Sequence, residues 1–158
     1  MIGIVHSPVS VAHLIATLIA LVTGTYSLLA TKGTPRHRYV SWTYTGSMLL
    51  VLATAFGIYT LFGRFGIVHW GAVGSALALL VGTGSVVLRA FIQHWQQWHY
   101  LGMGASVISL YAALAGESPY RLLPATYFWW STLGPAGIVL LVGALLLYYY
   151  YPVTRVRL

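Results

Sequence analysis

Five long apolar runs, separated by short polar stretches, make up the chain: residues 9–30, 39–62, 67–91, 98–116 and 127–151. Each is close to the ~20 residues that carry a helix across the hydrocarbon core of a bilayer. The runs are continuously apolar rather than alternating, which favours helices over membrane strands. The interruptions, TKGTPRHR, GRFG, IQHWQQ and ESPYRLLPA, hold the glycine, proline and charge of loops. The pattern therefore predicts an all-α, polytopic membrane bundle of five transmembrane helices forming a single domain over 1–158. Short loops make neighbouring helices antiparallel. The fourth run is the shortest, and the boundary before it is soft, because residues 94–97 can extend a helix.

The helix faces carry small residues. In the first run His13, Thr17, Ala20, Gly24 and Ser27 recur at steps of four and three. In the third, Gly71, Ser75, Ala78, Gly82 and Ser85 do the same. Such seams let helix backbones approach closely. A second reading is that they leave room beside a histidine for a flat cofactor. Pro135 is expected to kink the fifth run, which holds no histidine and reads as a packing or partner surface.

Composition strengthens the membrane reading. The hydrophobic fraction is 59% and the charged fraction 6%, whereas soluble domains are roughly one-quarter charged. The formal charge of +7 then reads as topology rather than nucleic-acid binding, since no polar face is long enough to bind nucleic acid. Lys32, Arg36, Arg38, Arg89, Arg155 and Arg157 fall on one side of five spans, and Arg64 and Arg121 on the other. This puts the N-terminus outside and the C-terminus in the cytoplasm, in the cell (inner) membrane. No basic residue precedes the first run, so no cleavable signal is expected. The chain has no cysteine, which removes disulfides and thiol chemistry. Glu117 is the one carboxylate, so paired-carboxylate catalysis and serine triads lack their acidic member. Its spacing to Arg121 suits a local ion pair.

Six histidines carry the remaining chemistry. On this topology His13 and His69 lie just inside the first and third spans at the outer leaflet, with His6 nearby. His37 and His99 begin the second and fourth spans at the inner leaflet, with His94 nearby. Interfacial histidines can simply cap helix ends or face water. Ionisable groups inside spans also mark functional sites, and imidazole is the commonest protein metal ligand. Paired across alternate helices, His13 with His69 and His37 with His99 would supply both axial ligands of two haem b groups for transmembrane electron transfer. Lys32, Arg36 and Arg38 would meet propionates at the inner site. At 1.5 Å per residue the two levels stand about 25 Å apart. A transition-metal site is the alternative: His6, His13 and His69 outside, or His37, His94 and His99 inside with Met103 as a soft ligand, for zinc or copper. The third possibility is a cofactor-free accessory subunit binding lipid, quinone or a larger membrane complex, or a homo-oligomer through the fifth helix.

Several motifs resemble a known family. They are H-L-I-A…L-x-x-G in the first run, K-G-T-x-x-H-R-x-x-x-W-x-Y from Lys32 to Tyr44, F-G-x-x-H-W from Phe65 to Trp70, and H-Y-x-x-M…E…R from His99. Together they resemble the bacterial predicted membrane proteins of domain-of-unknown-function family 2306. The resemblance implies an intact membrane bundle with His13, His37, His69 and His99 in motif positions, and implies no activity. Ser41 replaces a glycine of that pattern, a small-for-small change. The histidine layout is also similar to that of two-haem transmembrane cytochromes b.

Overall fold

The computed structural model describes residues 8–57, 65–120 and 125–151. These residues form five α-helices and no strand: α1 Pro8–Leu29, α2 Pro35–Gly57, α3 Ile67–Val87, α4 Trp95–Tyr120 and α5 Phe128–Tyr149, with a 3-10 turn at Ala125–Tyr127. Three of them, α1, α3 and α5, are long and apolar enough to cross a membrane. The α2 and α4 helices carry more hydroxyl, amide and charged groups and fall below that composition.

Helix boundaries differ from the apolar runs for local reasons. The second helix starts at Pro35, four residues before its apolar run, because the Thr34 hydroxyl accepts the N–H of His37 at 3.1 Å and Pro35 suits the first helical position. His37 therefore lies inside the first turn of α2, not ahead of it. Residues 58–62 of that run are outside the described residues. The third helix ends at Val87, and residues 88–94 form turns up to His94, whose φ is 55°. His94 closes this turn in the left-handed region, and its carbonyl accepts the N–H of Gln97 at 2.9 Å. The fourth helix, expected to be the shortest, is the longest at 26 residues. Backbone bonding continues through Trp95–Gln97 and past Gly116, where hydropathy has already fallen. Pro135 sits within α5 without ending it.

The chain divides into two compact units, Met1–Ala76 and Leu77–Leu158. In the first, α1 and α2 form an antiparallel hairpin. Ser27 meets Ser41 near the turn (3.2 Å between hydroxyl oxygens), and His13 meets Thr54 near the far end. Ala20, Gly24 and Ser27 of the small-residue stripe are buried, joined by Ala16. Tyr44 and Met48 of α2 fill the core. The turn is fixed by Gly33 in the left-handed region (φ 81°) and by Lys32, whose ammonium donates to the carbonyls of Ser27 (2.6 Å) and Leu28 (2.7 Å). This caps the C-terminus of α1, where cations are favoured. Although the residue as a whole is exposed, burial of its ammonium against the helix end lowers the Lys32 pKa.

In the second unit α4 is the best-buried helix. Met103, Ser106, Val107, Leu110 and Ala112 lie in its core. The α5 helix packs antiparallel along it. Gly104 takes Leu147, Ile108 packs into the space at Gly143, and Gly116 approaches the Thr132 carbonyl. The closest approach is between α3 and α4. A Cβ on Gly82 would fall 2.6 Å from the Met103 nitrogen, and one on Gly102 would fall on the backbone of Gly82 and Ala78. The small-residue seam of α3 is thus filled at this level by the α4 backbone rather than left open for a flat ligand.

The outward faces remain apolar. Leu18 and Val22 on α1, Leu77 and Leu80 on α3, and Ile138, Leu141 and Leu145 on α5 are each more than half exposed. Apolar surface on this scale marks a membrane or protein contact. The crossing yields a direct expectation. Gly102→Ala forces backbones apart, and overpacking of this kind costs about 1–3 kcal/mol. Gly137→Ala meets nothing within 4 Å and should leave stability unchanged. Thermal unfolding of the two variants in detergent checks this, and equal melting temperatures would refute the crossing.

Candidate functional site

The candidate ligands fall into two structural kinds. His37 and His69 are each the third residue of a helix, whereas His13 is the sixth residue of α1 and His99 the fifth of α4. At the third position a side chain can reach back to the residue that starts the helix. His69 does so: the Gly66 N–H donates to its Nδ1 at 3.2 Å, and the His69 N–H donates to the Gly66 carbonyl at 3.0 Å. The bond to Nδ1 is the half of a capping box that Glu or Gln usually supplies; Gly66 has no side chain for the other half, and its carbonyl takes the His69 N–H instead. The ring is 5% exposed and packs on Phe65 at 4.9 Å and Phe56 at 6.5 Å between centroids. His37 shares the capping geometry on its backbone side through Thr34.

His13 and His99 bond across to a neighbouring helix instead. His99 Nδ1 lies 2.8 Å from the Gly82 carbonyl oxygen. A carbonyl only accepts, so Nδ1 carries the proton and Nε2 keeps its lone pair. His13 Nδ1 lies 2.8 Å from Thr54 Oγ1. The Thr54 hydroxyl also reaches the carbonyls of Leu50 at 2.7 Å and Val51 at 3.0 Å; with its one proton on either of these, the ring donates through Nδ1. An imidazole whose Nδ1–H is held by a carbonyl or hydroxyl has the tautomer and fixed ring plane that Nε2 ligands show. His69 has the opposite tautomer: its Nδ1 accepts, so the neutral ring is protonated at Nε2.

As prospective haem ligands these rings divide. His13 and His99 would present Nε2 to a haem iron without changing tautomer. His69 coordinates through Nε2 only if its proton moves to Nδ1 and the Gly66 bond is given up. Of the cations expected near propionates, Lys32 is engaged on α1 carbonyls. The Arg36 guanidinium lies over the Tyr26 ring, 5.5 Å from its centroid. Arg38 is exposed.

His13, His37 and His69 belong to the first unit, and His94, His99 and Met103 to the second. Met103 is buried one turn below His99, with its sulfur 3.9 Å from the Thr83 hydroxyl and its backbone against Gly82. Among the described residues, no three His, Cys, Asp or Glu side chains cluster closely enough to hold a metal ion. His6 and Arg121 lie outside the described residues, and with them the outer three-histidine set and the Glu117–Arg121 pair. A shallow apolar groove of about 300 Å³ opens on the second unit, walled by Leu80 and Gly84 of α3, by Leu88 just past its end and by Trp98 of α4. His99 is not among its walls.

Thr54 and Gly82, the partners that orient the two ligand-competent rings, escaped the sequence reading. Thr54 is 41 residues from His13, and no local spacing points to it. Gly82 was visible only as one member of a small-residue seam. Comparison with protein-family models, with curated proteins and with solved structures gives no match to this chain. The family resemblance therefore rests on its motifs alone.

The tautomers are open to direct measurement. Long-range proton–nitrogen correlation on selectively labelled protein should find His13 and His99 protonated at Nδ1 and His69 at Nε2. Thr54→Val should release the His13 ring and leave His99 untouched. Nε2 protonation at His99 would contradict the bond to Gly82.

Proposed function

We propose that the chain is a five-span protein of the cell membrane that binds haem b through its histidines and carries electrons across the bilayer. The observation that carries the haem reading is the His99 bond to the Gly82 carbonyl, which leaves Nε2 as the ligating nitrogen on a rigid helix crossing. His13, held by Thr54, offers the same chemistry. His69 is the proposed second ligand at the outer level, within the same unit as His13. Haem, when bound, supplies the one-electron chemistry. The protein's residues fix the ring planes and keep water from the site.

Passage of α2 through the membrane is supported by where its hydroxyls go. Thr43, Thr45, Ser47 and Thr54 each donate to the carbonyl four residues back, at 2.7–3.2 Å. Polar side chains satisfied in this way need no water. One face of the α4 helix is buried against its neighbours, and Ser106 on it is fully buried. With five spans the Lys32–Arg38 cluster is cytoplasmic, the N-terminus outside and the C-terminus inside. Cysteines placed at Gly33 and at Ser118 should then react with a membrane-impermeant reagent from opposite sides. Labelling of both from one side would sink the five-span reading.

A second reading is favoured by α5. A Cβ on Gly134 or Gly137 would meet nothing within 4 Å, and the exposed face is apolar. This suits a cofactor-free subunit that docks α5 against another protein or a second copy. Gly143 does not belong to that surface, since Ile108 occupies its place.

Absorption spectra separate the readings. His13→Ala should remove one haem, and His99→Ala the other. His94→Ala and His6→Ala should keep both. For His69 the informative change is to glutamine, which preserves an acceptor for the Gly66 N–H while deleting the imidazole. If His69 is a ligand, His69→Gln loses the outer haem; if it is only a cap, the spectrum is unchanged. A native preparation without a Soret band, even after haem supplementation, would overturn the haem reading in favour of the cofactor-free one.

A further inference from the structure

The chain holds eight lysines and arginines against one acidic residue, Glu117. One carboxylate cannot balance the three cations that fall within seven residues at the α1–α2 turn: Lys32, Arg36 and Arg38. In a protein with apolar outer faces, counter-charge for such a cluster has to come from outside the chain. Lys32 is turned back onto α1 and Arg36 is laid over Tyr26, so the cluster is partly ordered before any ligand arrives. Arg38 and Trp42 are four residues apart on α2 and share a face. Trp42 is 54% exposed, and Tyr39 beside Arg38 is 76% exposed. Exposed aromatics are the side chains that settle at the headgroup level of a bilayer. Cations next to them meet anionic lipid phosphate at close range.

We propose that the α1–α2 turn is a binding site for the headgroup of an anionic phospholipid, with Arg36 and Arg38 on the phosphate and Tyr39 and Trp42 along the boundary with the acyl chains. Arginine suits this role because its planar fork matches phosphate oxygens in pairs. The site rests on the membrane reading of the hairpin and is independent of the histidine chemistry, so haem-free protein binds the lipid equally well.

The test uses the full chain in detergent micelles doped with phosphatidylglycerol or phosphatidylcholine, with lipid retention followed by native mass spectrometry. The unaltered protein should hold phosphatidylglycerol in preference to phosphatidylcholine. Arg36→Gln with Arg38→Gln should weaken phosphatidylglycerol binding by about 30-fold, and Arg38→Gln alone by about 5-fold, as expected for one cation at a lipid surface. The paired lysine substitutions, which keep the charge, should restore most of the binding and show that the fold tolerates change there. Arg89→Gln, an equal charge loss at the α3–α4 turn, should leave binding within twofold of the unaltered protein. Equal retention by the unaltered and double-glutamine proteins would overturn the site, as would a loss in Arg89→Gln matching that in Arg38→Gln. Release of the lipid by millimolar inorganic phosphate would instead assign the cluster to free phosphate and overturn the lipid assignment. Retention of both lipids without preference would reject the headgroup site alone, whereas retention of neither would reject the membrane reading with it.

Discussion

Within a bilayer a hydroxyl or imidazole on a helix has no water to turn to, so its hydrogen bonds must close within the chain. Much of the architecture follows from how that requirement is met. The α2 hydroxyls bond back to their own helix, which lets a comparatively polar segment stand among apolar ones. Lys32 closes the end of α1, and His69 closes the start of α3. Two histidines go further and tie one helix to another through Nδ1. His13 reaches Thr54 and His99 reaches Gly82. The last bond is possible because Gly82 and Gly102 bring two backbones into contact, so that a short imidazole spans the gap.

Helices α1, α3 and α5 were legible because hydropathy alone marks them. The start of α2 was also written in the sequence, as Thr34 followed by Pro35, but an apolar window passes over such a signal. The length of α4 was hidden for a different reason. Trp95, Gln96 and Gln97 at one end and Glu117 at the other belong to the helix by backbone bonding while lowering its hydropathy. Periodicity found the buried stripe of α1 and the seam of α3. It could not tell a seam packed by a neighbouring backbone from one left open, because that depends on Gly102, twenty residues further along the chain.

The histidines show the same limit at the level of chemistry. All four candidate ligands stood out by residue type and position. Their hydrogen bonds separate them, and those bonds depend on tertiary partners. Histidine at the third helical position is easily missed as a cap, since the familiar pattern has Glu or Gln there. His69 thus looks like His99 in the sequence and differs from it in the fold, one ring accepting through Nδ1 and the other donating.

That difference bears on what each ring can give up. The His99 Nδ1–H stays on the Gly82 carbonyl whatever its Nε2 binds, so that link survives ligation. The Nδ1 of His69 has no such neutrality. A proton moved there to free Nε2 would face the Gly66 N–H, donor against donor, and the side-chain clasp on the first turn of α3 would be lost. One end of that helix is therefore indifferent to what its ring binds and the other is not.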